Sequence, residues 1–343
     1  MANQVTVIVV NWNGRHHLEG CLAALQAQTF TGFDIIVVDN GSTDGSVEWL
    51  KAHFPWVRLI CNAHNAGFAA ANNQAIRSTE TEFIVTLNND TRAEPGWLAA
   101  LVETAKSDPD VGTVASKMLL ASRPGTIDSA GIALDPVGIA WDRLGGRLDD
   151  PGEKAPLEVF GPCAGAALYR RAMLNQIGLF DPDFFAYLED VDLAWRARLA
   201  GWRCLYAPSA RVYHAHSATG IEGSPFKSRQ LGRNKVWLIA KNYGPSWRLL
   251  AYLPLIVLYD LAAVGFALVA QGNVHNLLGR IDGLMGLPRA WHKRRAVQTL
   301  AQSRRGTPWY RYLAPLVWPW QVPRRYRHLS ADKQKAWDKS AID

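Results

Sequence analysis

The sequence predicts an α/β fold built on a mostly parallel, helix-flanked sheet, and three observations carry that expectation. Apolar runs of strand length alternate with stretches of helical period from Val5 to Ser116. The runs are continuous rather than alternating, as in strands buried on both faces. Each run also ends in a polar cluster, and open α/β sheets bind ligands at the carboxyl ends of their strands. The composition, 48% hydrophobic and 20% charged over 343 residues, is that of a globular chain long enough for one large domain or two smaller ones.

The elements follow in order. VTVIVV (5–10) is a buried strand, and a helix follows over 15–28. FDIIVVD (33–39) is the second strand, DGSVEWLKAHF (44–54) a helix, VRLIC (57–61) the third strand and GFAAANNQAIRS (67–78) a helix. EFIVTLN (82–88) and VGTVAS (111–116) are strands on either side of a helix over 95–107, whose Pro95 suits a first helical turn. Residues 119–160, rich in Gly, Pro and Asp, read as an irregular insertion near the site. FGPCAGAALYRRAML (160–174) reads as a small-residue loop entering a helix. A further helix opens at Glu189 and Asp190 and closes at Gly201, with Arg196 and Arg198 in its later turns. ARVYHAHSATG (210–220) is a short strand running into a loop.

Charge is unevenly spread. Residues 280–343 carry 14 Lys and Arg against 4 Asp and Glu, a net +10, while the whole chain is +7. Basic tails bind nucleic acid or anionic membrane. Here Trp, Tyr and Arg interleave in TPWYRYLAPLVWPWQVPRRYRHL, which favours a membrane interface and no nucleic acid. The preceding LLAYLPLIVLYDLAAVGFALVA (249–270) is long enough to cross a bilayer. Asp260 near its centre costs about 2.5–3.5 kcal/mol on the insertion scale, against about 0.3–0.6 kcal/mol returned by each Leu, Ile, Val or Phe. Pro254 weakens it further, and one span would put the basic tail on the face opposite the N-terminal half. A monotopic interfacial helix is therefore expected, with the tail as a second anchor; a helix buried on the core or in a dimer is the alternative. The N-terminus has no basic n-region, so a domain start rather than a signal peptide is expected there. Cys21, Cys61, Cys163 and Cys204 are widely spaced without a C-x-x-C, which points to reduced thiols rather than a disulfide framework or a zinc site.

Chemistry-bearing residues gather at the strand ends. A divalent metal shared with phosphates needs hard oxygen ligands. In TLNNDT, Asp90 supplies one, and Asn88 and Asn89 add amides; an Asx-turn before Pro95 accounts for the same residues. Asp39 would accept the imide N–H of uracil or thymine, or cap the turn DNGSTDGS. Gly67 and the alanines after it would let backbone approach a ligand closely. No G-x-G-x-x-G follows the first strand, and there is no P-loop. Glu189, Asp190 and Asp192 place three carboxylates within four residues, which requires a cation or a proton between them. One would serve as a general base toward a hydroxyl; an acidic helix start is the plainer account. His214 and His216 face one side of a strand, and either would complete a metal shell with Asp90.

Seven motifs in order, VIVVNWNG, VVDNGSTDGS, NAGFAAANNQAI, TLNNDT, GPCAGAALYRR, FDPDFFAYLEDVDLAWR and YHAHSATG, make the chain resemble the inverting family 2 glycosyltransferases of the GT-A fold. That fold is a Rossmann-like, mostly parallel sheet flanked by helices. The branch it resembles holds rhamnosyltransferase-like enzymes of cell-surface polysaccharide biosynthesis. The resemblance implies a GT-A domain over 1–222, with 223–343 a helical, basic, aromatic-rich membrane-associating region. It implies transfer of a sugar, rhamnose favoured, from a dTDP- or UDP-sugar donor to a lipid-linked glycan acceptor, with Mg or Mn as cofactor, at the cytoplasmic face of an anionic membrane. Residue by residue, Asn11, Asn13 and Asp39 would line the base and ribose pocket, and Asn65, Gly67 and Asn73 the diphosphate side. Asn88 and Asp90 stand where the family has D-x-D, with Asp90 on the metal. Asn88 in place of the first Asp leaves one carboxylate, which His214 would supplement. Glu189 and Asp190 match the family's E-D pair, Asp190 as base, and Gly165, Asp192 and Trp195 would face the sugar or acceptor.

Overall fold

The computed structural model describes residues 3–150, 152–153, 155–215, 224–244, 246–300 and 308–322. Its first half runs β1 (Val5–Asn11), α1 (Arg15–Gln26), β2 (Phe33–Asp39), α2 (Ser46–His53), β3 (Arg58–Cys61), α3 (Phe68–Arg77), β4 (Phe83–Asn88), β5 (Thr91–Ala93) and α4 (Trp97–Lys106). The second part runs β6 (Val111–Leu120), β7 (Arg123–Ser129), β8 (Ile132–Leu134), β9 (Ala140–Asp142), β10 (Leu157–Glu158), β11 (Ala166–Arg170), α5 (Arg171–Ile177), α6 (Glu189–Leu199) and β12 (Arg203–His214). Four helices follow: α7 (Pro225–Asn242), α8 (Ser246–Gln271), α9 (His275–Met285) and α10 (Leu287–Leu300).

The main sheet has the order β10-β12-β6-β11-β4-β1-β2-β3. Its β1, β2, β3 and β4 are parallel, and β6 is parallel to β12. Between these two blocks lies β11, antiparallel to both β4 and β6. Side chains alternate across the strands. Val5, Val7 and Val9 therefore face α1 and α4, packing with Leu18, Leu22 and Leu101. Ile8 and Ile84 face the other way, onto Ala71 of α3 and Leu193 of α6. Both faces are covered, which is why these strands read as continuous apolar runs.

The structure corrects several expectations. Within the expected fold, AALYR in 160–174 is not loop but the antiparallel strand β11, and only then enters α5. Residues 119–160 are not irregular: β6 extends to Leu120, β7 pairs with it, and β8 pairs with β9. These strands are short and broken by Gly and Pro, so they show little periodicity. The strand expected at 210 is the end of β12, 12 residues long. The boundary expected at 222/223, His216 and the tail beyond 322 lie outside the described residues.

The C-terminal helices pack on the back of α6. Trp195 of α6, Tyr243 and Trp309 form one aromatic cluster, with Trp195 and Trp309 centroids 4.8 Å apart. Leu238, Ile256 and Val297 join it. The apolar segment expected at 249–270 is α8, 26 residues that include an 18-residue window with a mean hydropathy of 2.2, and it carries Pro254 within it. Its Asp260 is paired: the carboxylate lies 2.6 Å from Lys235 Nζ on α7 and 2.9 Å from Arg280 Nη2 on α9. Leu250, Leu253, Val257, Leu258, Leu261 and Leu268 remain exposed. At helical spacing they form one outward stripe.

Candidate active site

Register brings the strand ends together. Asn11 is opposite Asp39, and Val10 opposite Asn88, so the carboxyl ends of β1, β2 and β4 share one edge. Asn11 Nδ2 donates to Asp39 Oδ2 at 2.8 Å, and Ser42 N–H donates to Asp39 Oδ1 at 2.9 Å. Asp39 is 1% exposed, so in this structure its carboxylate holds the β2 turn. Asn13 fixes the same turn, its Oδ1 accepting from Thr43 N–H at 2.8 Å and its own N–H reaching Ser42 Oγ. Asn89 Nδ2 donates to Asn11 Oδ1 at 2.7 Å, joining the β4 end to this network.

On the next turn, Asn65 Oδ1 accepts from the Gly67 N–H at 2.9 Å. Gly67 precedes α3 with φ +85°, and a Cβ there would come within 2.6 Å of Phe185. Glycine is required both by conformation and by that approach. Asn73 is buried and spends both ends of its amide on the Phe180 backbone, at 2.7 and 3.1 Å. It shapes the cleft through the 180 loop rather than by lining it.

The β4 end carries the charged part of the site. β5 returns from Asp90 and pairs with β12, setting Thr91 opposite His214. His214 Nε2 thus lies 3.2 Å from Asp90 Oδ1, while its Nδ1 lies 2.7 Å from Asp128 Oδ2 on β7. Asn88 Nδ2 is 3.5 Å from the same Nε2. Burial pulls the His214 imidazole down, but the Asp90 charge and the hydrogen bond to Asp128 outweigh it and raise it well above the ordinary histidine value. Burial alone would raise Asp90; the neighbouring His214 charge more than offsets it and holds the carboxyl low. Among the described residues no group of three or more His, Cys, Asp or Glu is arranged to hold a metal by itself. Asp90 and His214 nevertheless fit part of a shell. They stand side by side as an oxygen donor and an imidazole that becomes a nitrogen donor once its Nε2 proton leaves, with the Asp128 carboxylate orienting the ring from behind. Phosphates would have to supply the rest, as hard cations commonly require.

Asp190 sits across a short loop from this cluster. The Asn88 N–H donates to Gly165 O at 2.8 Å, and the Ala164 N–H donates to Asp190 Oδ2 at 3.2 Å. Two consecutive residues of one loop therefore touch the β4 end and the α6 carboxylate. Val191 N–H donates to Asp190 Oδ1 at 2.8 Å. Burial raises the Asp190 carboxyl above its ordinary value, against these backbone donors. Glu189 is raised further, by burial and then by the Asp190 charge, and its Oε2 has no hydrogen-bond partner. Between the two, the surroundings favour the proton on Glu189 over Asp190. Asp190's charge also raises Cys163 and Tyr169, both already raised by burial.

Residues 6–178 match the family model described as Glycosyl transferase family 2. The chain belongs to that family. This glycosyltransferase is rhamnosyltransferase-like within it: it is 30% identical to an N-acetylglucosaminyl-diphospho-decaprenol L-rhamnosyltransferase of Mycobacterium tuberculosis over 246 residues, 63% of this chain and 78% of the relative. It is 29% identical to an O-antigen biosynthesis protein of Myxococcus xanthus over 63% of this chain and 18% of that longer protein. The fold is the GT-A arrangement. A mannosyltransferase from Pyrobaculum calidifontis, solved with GDP-Man and Mn2+, superposes with TM-score 0.51 at 21% identity, covering 88% of this chain and 86% of that one. TarS from S. aureus superposes with TM-score 0.56 at 18% identity, covering 88% and 90%.

Two residues of the glycosyltransferase expected to face sugar or acceptor point into its core. Asp192 is 0% exposed and bonded to Arg196, Lys241 and Asn242. Trp195 is equally buried, in the aromatic cluster behind α6. On a helix, residues two apart lie about 200° apart, so Asp190 and Asp192 cannot share a face. Gly165 packs against the β4 end, where a Cβ would meet the Asn88 side chain at 3.1 Å. Sequence reasoning missed Asp128, one of seven acidic residues in the stretch 119–160 read as irregular. It also missed the Cys163–Gly165 loop as the bridge between the two halves of the site; its small residues were the available signal.

Proposed function

We propose that this enzyme is an inverting transferase. It moves a sugar, rhamnose favoured, from a dTDP- or UDP-sugar to a hydroxyl of a lipid-linked glycan acceptor in cell-surface polysaccharide biosynthesis. One observation carries the reading: a single loop, 164–165, joins a buried carboxyl held by backbone donors, Asp190, to the polar β4 end where Asn88 and Asp90 stand. One base on one side of a donor site suits a single displacement. The acceptor oxygen forms a bond to the anomeric carbon and the bond from that carbon to the diphosphate oxygen breaks. The electron pair leaves with the nucleotide diphosphate, and the acceptor proton passes to Asp190. The N–H groups of Ala164 and Val191 hold Asp190 in place for that transfer. Asn11, Asn13 and Asp39 shape the base and ribose side, and Asn65 and Gly67 the diphosphate side. Asp90 and His214 would hold a divalent metal, Mg or Mn, which when bound supplies positive charge beside the diphosphate.

The sugar and acceptor readings draw on the decaprenol-linked rhamnosyltransferase relative. The exposed apolar stripe of α8 supports a seat on the inner leaflet of the cell membrane, where a lipid-linked acceptor would be at hand. The test is nucleotide release from a panel of dTDP- and UDP-sugars with a lipid-linked acceptor extract, with Mg or Mn. Release from one donor, lost in Asp190→Asn and Asp90→Ala, is expected. Equal turnover by Asp190→Asn would remove Asp190 as the base, and retention of the anomeric configuration in the product would remove the single displacement.

A further inference from the structure

The segment just ahead of the Glu189–Asp190 pair is strained. Phe185, Tyr187 and Leu188 have φ of +64°, +70° and +66°. Side chains other than glycine hold that region only where their surroundings fix them. Here the fixing group is Asn234, in the middle of α7 and 0% exposed. Its Nδ2 lies 3.0 Å from the carbonyl oxygens of both Phe184 and Ala186 and 2.7 Å from that of Tyr187. Its neighbour Arg233 donates to the Asp183 and Phe184 carbonyls at 3.2 and 3.0 Å. On its other side the segment is tied to α3, where the Ala69 N–H donates to Phe185 O at 3.2 Å. It then runs into α6 through Leu188, whose carbonyl accepts from the Asp192 N–H at 2.9 Å.

A carbonyl-rich turn with left-handed residues has no helical or sheet ladder to satisfy it. The buried Asn234 amide reaches three of its carbonyls, with Arg233 and the Ala69 N–H beside it, and the turn leads directly into the first residues of α6. We propose that Asn234 is a positioning residue for Asp190: by holding the 184–188 turn it sets the direction from which that carboxylate meets the acceptor hydroxyl. The inference rests on Asp190 being the base.

The test compares wild type with Asn234→Asp, which keeps the shape but replaces the N–H donors with a carboxylate, and with Asn234→Ala. Arg233→Met, on the rim of the same turn, serves if both Asn234 variants fold poorly. Three readouts are taken. Hydrogen exchange over residues 184–190 should rise in each variant while β1 and β4 stay protected. Turnover per UDP- or dTDP-binding site, with whichever donor of the panel is used, should fall about 10- to 100-fold, as a displaced catalytic group does. The acid limb of kcat should move to lower pH as water reaches Asp190; Glu189, Cys163 and Tyr169 are the titratable groups around it, and none is altered. Unchanged exchange over 184–190 would overturn the clamp. Loosened exchange with full turnover per site and an unmoved acid limb would reduce Asn234 to a structural role and overturn the proposal. Activity surviving in Asp190→Asn would instead overturn the base, a separate failure from loss of the clamp.

Discussion

Asp190 and Glu189 are consecutive, yet their environments divide the work between them. Asp190 receives two backbone N–H donors, and Glu189 leaves one buried oxygen without a partner. The carboxyl with fewer donors is the one that keeps the proton. Glu189→Gln imitates that neutral form and is expected to keep most of the turnover, whereas Asp190→Asn is expected to lose about 10²–10⁴-fold. The pH dependence follows from the sign of the Asp190 shift. Its carboxyl is raised, so it is already protonated, and inactive as a base, at a pH where an exposed Asp would still be ionised. Turnover is therefore expected to fall with decreasing pH through a value above the ordinary carboxylate range; a kcat profile against pH checks this. A limb at or below that range would mean that water reaches Asp190 in the working enzyme.

At the scale of elements, α7 and α9 approach until glycine faces glycine. Gly232 and Gly279 are in backbone contact, and a Cβ at Gly279 would collide with the carbonyl oxygen of Arg229. Helix propensity alone would make Gly279→Ala stabilising by about 1 kcal/mol. The collision is with backbone, which cannot swing aside, so a net destabilisation of about 1–3 kcal/mol is expected; a denaturation midpoint decides the sign. Legibility divides along similar lines. β1, β2 and β4 were readable because both faces are covered, which makes the run continuous. β11 was not, because Ala-Ala-Leu-Tyr-Arg has helical propensity and becomes a strand only between the edges of β4 and β6. The strand-end residues Asn11, Asp39, Asn88 and Asp90 were readable as a group, since the fold class places such ends together. Asp128 and Asn234 were not: each acts on a partner 86 or 50 residues away, a distance no local pattern encodes. Asp192 and Trp195, carried over with the E-D pair by the resemblance, turn away from Asp190 into the core, because 3.6 residues per turn put them on other faces of α6.

For the whole molecule, the outward stripe of α8 is the largest feature the catalytic half does not use. Leu258→Glu combined with Leu261→Glu is expected to reduce cosedimentation with anionic phospholipid vesicles while leaving nucleotide binding intact. Unchanged cosedimentation would place the contact elsewhere. Asp260 gives that stripe a further consequence. Lys235 and Arg280 grip it from the protein side, which ties α8 to α7, and α7 is the helix that also grips the turn before Asp190. With α8 lying on a bilayer, the base would stand at a set height above the lipid headgroups, as on a rigid bracket. Such an enzyme would select by altitude as well as by chemistry: a hydroxyl near the lipid end of a growing glycan would come within reach, and the same hydroxyl several sugars farther out would pass overhead.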